Sequence, residues 1–384
     1  DEILIEKNVA ICTSRDTADP IQKACHIVEA IGNEGFDAKL AESAEIWADL
    51  WKRSNVTIVG DDLADRALRY NLFQVLIAAP RHDQRVSIGA KTLSGYGYRG
   101  HVFWDTEIFI LPFLIYTQPA IARNLLMYRY HTLDGARQKA RDHGYEGAMF
   151  AWESAATGEE VTPKWVVGPE GDLIKIWCGE IEQHITADVV YGIRQYWQAT
   201  ADDEFVREYG VEIILSAGQF YASRLEWDPA DAAFHIRNVI GPDEYHEHVD
   251  DNAMTNLMAG WTMQYANDAV DWMREHWPVQ LDLLLEKLGL NLDEIRSWVE
   301  MKEKIFIHQR EDGVIEQFKG YFDLVMMDQA DLEPRKQSLQ SLFGIEGVQQ
   351  YQFIKQPDVV MALYLLRDQF SEEQIRTNLD YYTP

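Results

Sequence analysis

The sequence predicts a mostly helical protein, and three observations carry that expectation. Apolar residues recur at the helical period over most of the 384 residues. Glycine- and proline-bearing segments separate those periodic stretches, as loops between helices do. Extended patterns are confined to a few places. Residues 1–12 alternate like a strand through Ile3, Ile5, Val9 and Ile11. The run Phe234–Ile240 is extended ahead of a Gly-Pro breaker. Residues 151–178 are irregular, with turn signals at Thr162-Pro163 and Gly168-Pro-Glu-Gly171.

In chain order, the strand at 1–12 is followed by helices expected at 18–33 and 39–54, the second carrying Leu40, Ile46, Trp47, Leu50 and Trp51. Further helices are expected at 61–79, 105–117, 119–142, 181–200, 203–226, 252–276, 279–289, 293–306, 335–343, 356–370 and 372–382. Asp250, Asp251 and Asn252 are all competent to cap the helix that starts near 252. There is no short repeat and no low-complexity segment.

Composition narrows the partners. Lys and Arg number 35 against 63 Asp and Glu, a formal charge of −28 spread along the chain. Nucleic acid and anionic membrane surfaces need clustered basic residues, so neither is expected as a partner. A single phosphate ion needs only a local nest or a few donors and stays compatible. Cys12, Cys25 and Cys178 show no paired spacing, so neither a disulfide framework nor a zinc site is expected. No signal peptide and no apolar run near membrane-spanning length is present, and a cytoplasmic protein is expected.

The densest chemistry lies at 241–249, Gly-Pro-Asp-Glu-Tyr-His-Glu-His-Val. Glu244 falls in a short loop between ordered elements, where catalytic side chains are commonly held. A carboxylic acid there serves as a proton donor if burial raises its pKa. An isolated Asp-Glu pair is ordinarily solvated surface, but two further stretches shift the balance. Phe103-Trp-Asp-Thr-Glu107 follows the glycine-rich Gly95-Tyr-Gly-Tyr-Arg-Gly-His101, and Gly147-Ala-Met-Phe-Ala-Trp-Glu153 repeats the theme. An aromatic face beside hydrogen-bonding acids suits a pyranose ring and its hydroxyls. With 12 tryptophans in the chain, most are core residues. The acid-rich run Glu244–Asp251 matches no metal-ligand spacing, so no metal is expected.

Five stretches in order give the chain a family likeness: Gly97–Glu107, Gly147–Trp152, Glu182-Gln-His-Ile185, Gly241–His246 and Lys355-Gln-Pro-Asp358. Through them it resembles the central catalytic domain of glycoside hydrolase family 65, known mostly for inverting disaccharide phosphorylases acting on kojibiose, maltose or trehalose. The family's Lys-Gln element usually continues with Ala, where Pro357 stands here. The resemblance implies an all-α fold, an (α/α)6 barrel with a sugar pocket built from loops at one end. It also implies a remnant strand of an N-terminal β-domain plus linker helices at 1–60, and the barrel at 61–384 without its closing helices. On that reading the chain is an excised catalytic core.

The same resemblance assigns roles. Glu244 matches the general acid that protonates the oxygen between the sugars. Trp104, Asp105 and Trp152 shape the glucose pocket, and Lys355 and Gln356 hydrogen-bond its hydroxyls. His184 and His246 are weaker contact candidates, because a satisfied structural imidazole is the commoner case. The implied partners are an α-glucosidic disaccharide and inorganic phosphate as co-substrate, with no other cofactor; a homodimer is one assembly open to it. Phosphorolysis to β-glucose 1-phosphate is the favoured activity. An inverting α-glucoside hydrolase and a non-catalytic sugar-binding helical domain are the alternatives, and the linkage cleaved stays open.

Overall fold

A computed structural model describes residues 3, 5–168, 171–328, 332 and 335–383. The chain divides into two compact units, Asp1–Phe73 and Gln74–Pro384. Residues 1, 2 and 4 of the expected strand and 169–170 of the expected turn lie outside the described residues.

The first unit holds the helices Pro20–Glu34 and Phe36–Ser54. Asp19 caps the first by accepting from the Gln22 N–H, and Pro20 occupies the first turn, where a missing N–H costs nothing. The Trp47 ring packs against Phe73 at 5.2 Å and Trp51 at 6.3 Å between centroids. The strand expected at 1–12 is not found among the described residues, which form no backbone ladder there. Alternation alone does not make a strand: without a pairing segment among the described residues, its N–H and C=O groups stay unbridged by the backbone.

The second unit is built of packed helices around one large apolar core. Its longest helix, Ala253–His276, is buried along most of its length and packs against Val211–Arg224, Leu292–Lys302 and Asp358–Leu365. Asn252 starts it by accepting from the Thr255 N–H. The helix Ile185–Thr200 packs against Leu111–Thr117 and Pro119–His131.

The helices follow the expected order, with local breaks that have physical causes. The stretch 119–142 divides at Thr132, whose hydroxyl donates to the Tyr128 carbonyl and loosens the turn. The stretch 181–200 divides at the extended Glu182, leaving Cys178–Ile181 and Ile185–Thr200. The helix expected at 335–343 begins at Leu339, where Ser338 supplies the cap, and the segment is broken by a kink at Gly344 before it ends at Val348. The irregular region 151–178 contains a hairpin, Trp165–Val167 paired antiparallel with Leu173–Lys175. A second hairpin pairs Glu226–Asp228 with Ala233–His235, the start of the expected extended run. No described helix is long and apolar enough to cross a membrane.

Candidate active site

A cavity of about 480 Å³ opens in the second unit. One wall is the glycine-rich stretch through Tyr96, Tyr98 and Arg99, and another is Trp152 with Glu153. The hairpin contributes Val166, Ile174 and Lys175, and Cys178 follows it. Glu244, Tyr245 and Glu247 come from the acidic loop, and Lys355 from the segment before the helix Asp358–Leu365.

The acidic loop is closed at its base by two backbone bonds between Val239 and Val249, of 2.8 and 2.9 Å. Within it, neighbouring carboxylates take opposite directions. Asp243 is buried: its Oδ2 faces the His246 Nδ1 at 2.8 Å and accepts from Gln317 Nε2 at 2.9 Å, and its Oδ1 accepts from the Lys355 N–H at 2.8 Å. Glu244 faces the cavity, and its Oε1 accepts from Lys355 Nζ at 3.0 Å. Burial works against the charge on Lys355, but the Glu244 carboxylate outweighs it and raises the ammonium pKa. Burial also raises the carboxyl of Glu247, with the Glu244 charge adding to it. At Glu153 burial raises the pKa, opposed by the hydrogen bond from His101 at 2.6 Å.

Trp152 presents an aromatic wall, packed edge-on against Phe103 at 4.9 Å. Its indole N–H is buried and finds no acceptor among the described residues. Trp104, Asp105, Gln356, His184 and His246 are not among the residues lining this cavity. Trp104 is buried, edge-on to His184 at 4.8 Å. Asp105 is partly buried, and its carboxyl pKa is raised first by that burial and further by the charges of Glu107 and Glu244. Gln356 is half-buried beside Lys355.

Both histidines have their ring nitrogens engaged by the protein. His184 is fully buried between Asp188 at 2.6 Å and Glu182 at 3.0 Å. Burial opposes its charge, yet Asp188 and Glu182 prevail and lift its pKa to about 10. Burial pushes Glu182 up to about 7 against the pull of His184. His246 spans Asp243 and the Tyr351 carbonyl, at 3.0 Å to the latter. An imidazole bound on both sides orients loops and has no ring nitrogen left for a hydroxyl.

Several contributors escaped the sequence reading. Glu107, the last residue of its motif, forms a buried bidentate pair with Arg129, with Nε and Nη2 each at 2.7 Å from a carboxylate oxygen. Asp243, Glu153 and Glu247 each adjoin or lie near a residue already singled out. Gln317 joins the buried network from a distant segment and carried no local signal, while Asn252 and Asp358 were marked only as a helix cap and as the end of a motif.

A helical domain with an acidic, aromatic-walled cavity is suited to a sugar, and the comparisons with known proteins identify its class. Residues 69–384 match the glycosyl hydrolase family 65 central catalytic domain. The kojibiose phosphorylase of Halothermothrix orenii is 44% identical over 99% of this chain and 50% of its own length. The nigerose phosphorylase of Lachnoclostridium phytofermentans is 38% identical over 100% of this chain and 52% of its own. A solved structure assigned as a kojibiose phosphorylase from the human microbiome superposes with TM-score 0.84 at 27% identity, covering 94% of this chain and 46% of that one. The chain belongs to glycosyl hydrolase family 65, and its fold is of the all-α, (α/α)6-barrel class. It spans about half the length of the curated relatives it matches.

Proposed function

We propose that this chain is the catalytic domain of an inverting phosphorylase that cleaves an α-glucosidic disaccharide to β-glucose 1-phosphate and the released sugar. The observation that carries the reading is Glu244, a carboxylate on the cavity wall that accepts a hydrogen bond from the Lys355 ammonium. Inverting cleavage needs an acid on the leaving-group side and a nucleophile on the opposite face of the ring. Glu244 protonates the inter-sugar oxygen as its bond to the anomeric carbon breaks, while a phosphate oxygen forms the new bond from behind. Protonation of Glu244 also dissolves its ion pair and frees the Lys355 ammonium for a hydroxyl of the glucosyl unit. Trp152 offers the stacking face, and Trp104, Asp105 and Gln356, which do not line the cavity, support the pocket from outside its lining. His184 and His246 act by holding their loops.

Phosphate is the co-substrate in this reading, and no further cofactor enters it. The relatives' substrates make kojibiose the first disaccharide to test, with nigerose next. We retain residues 1–60 as linker helices and 61–384 as the barrel domain, and a cytoplasmic location, as parts of the same proposal. The test is product analysis in the intact protein with kojibiose. Strict phosphate dependence with one glucose released per sugar phosphate supports it. Two glucose molecules per disaccharide without phosphate would make the enzyme a hydrolase.

A further inference from the structure

We propose that Asp243 and Asp358 form a reciprocal clasp that sets the spacing of Glu244 and Lys355, making Asp243 a positioning residue for the acid step. The proposal rests on reading Glu244 as the acid. Glu244 and Lys355 stand 111 positions apart, and each lies on a loop. Their ion pair is a single 3.0 Å contact between two flexible side chains. Something in the backbone must fix how far apart the two loops sit.

The structure assigns that task to two buried carboxylates bonded across the gap in opposite senses. The Asp243 carboxylate accepts from the Lys355 N–H at 2.8 Å, gripping the backbone of one site residue. The Asp358 carboxylate accepts from the Asp243 N–H at 2.7 Å, gripping the backbone immediately before the other. Each aspartate is anchored independently. Asp243 is held by His246 and Gln317, and Asp358 by Asn252 Nδ2 at 2.7 Å. Asn252 is in turn the cap of the long central helix, so the clasp is tied to the most buried element of the unit.

Gly241 shows how closely the parts are fitted. A Cβ at this position would fall 2.3 Å from both Asn252 Nδ2 and Asp358 Oδ2, so any side chain would push the clasp apart. Both aspartates are almost wholly buried and do not line the cavity, which separates them from groups that touch substrate. Their effect passes through the backbone to Glu244 and Lys355. Catalysis is sensitive to such placement, since a shift of about 1 Å in a reacting group costs on the order of a hundredfold.

The test exploits leaving groups. A disaccharide needs its leaving oxygen protonated, whereas α-glucosyl fluoride expels fluoride with little acid assistance and takes the same attack by phosphate. In the intact enzyme, Asp243→Ala is expected to lower kcat for the disaccharide by at least about a hundredfold while lowering it for the fluoride by no more than about tenfold. Asp243→Asn keeps one acceptor oxygen and should show a smaller loss with the same selectivity. It decides the matter if the alanine variant does not fold. Equal losses on both substrates would make Asp243 merely structural and overturn the clasp, as would unchanged disaccharide turnover. Glu244→Gln measured alongside keeps the two ideas apart. If that variant loses both substrates equally, the acid assignment fails, whatever Asp243 does.

Discussion

The loop Gly241–Val249 and the segment Phe103–Glu107 carry similar residues, acids beside aromatics behind a glycine, yet the fold uses them differently. In the first, Glu244 opens onto the cavity. In the second, Glu107 turns inward to Arg129, and Arg129 Nη2 donates to the Phe103 carbonyl at 3.3 Å, fixing the backbone just before Trp104. The difference is the partner. A carboxylate with a buried guanidinium becomes framework, and one paired with a half-exposed ammonium on the cavity wall stays within reach of a ligand. Residue type does not separate these fates.

That comparison can be broken by exchanging charge for a neutral isostere in each region. Glu107→Gln should have the largest effect, on stability. It leaves a fully buried arginine without its counter-charge, which costs roughly 3–5 kcal/mol. Denaturant unfolding measures it, and a loss below about 1 kcal/mol would put this pair in the same class as a surface bridge.

Glu244→Gln should do the reverse, reducing disaccharide turnover by at least about a hundredfold with little change in unfolding. A large stability loss there would erase the contrast between the two regions.

Trp152→Phe is a finer probe. It keeps the edge-on packing against Phe103 but removes the indole N–H and part of the stacking face. A rise in KM of several-fold, worth about 1 kcal/mol, is expected with kcat nearly unchanged. An unchanged KM would remove Trp152 from the sugar wall.

The smallest effect concerns pH. The His184 pKa lies above its ordinary 6.5, at about 10. The charged imidazolium, paired chiefly with Asp188, therefore contributes its full stabilisation below pH 6.5 and loses it as pH rises through about 10. The melting-temperature gap between wild type and His184→Gln should narrow over that window. A gap independent of pH would mean the imidazole is held neutral.

The helices were legible in the sequence because their apolar period and caps are local, and Asp19, Asn252 and Ser371 all cap where a polar residue precedes a periodic run. Breaks such as Thr132 were not legible, since a hydroxyl that bonds back to its own helix leaves the apolar period intact. At the site, the motifs brought Trp152, Glu244 and Lys355 to one cavity. They gave no role to Asp243, which turns away from its neighbour Glu244 because His246, Gln317 and the Lys355 N–H hold it. Nor did they show that both ring nitrogens of His184 would be taken, because Asp188 is one helical turn away and reads as an ordinary helix residue.

The most direct test of the account is the anomeric configuration of the sugar phosphate formed from kojibiose and phosphate by the intact enzyme, read by proton and phosphorus NMR before mutarotation or hydrolysis intervenes. A single displacement with Glu244 as the acid and phosphate attacking from the opposite face predicts β-glucose 1-phosphate as the first product. Accumulation of the α-anomer would require a second displacement or same-face attack, and would contradict the roles given to Glu244 and phosphate.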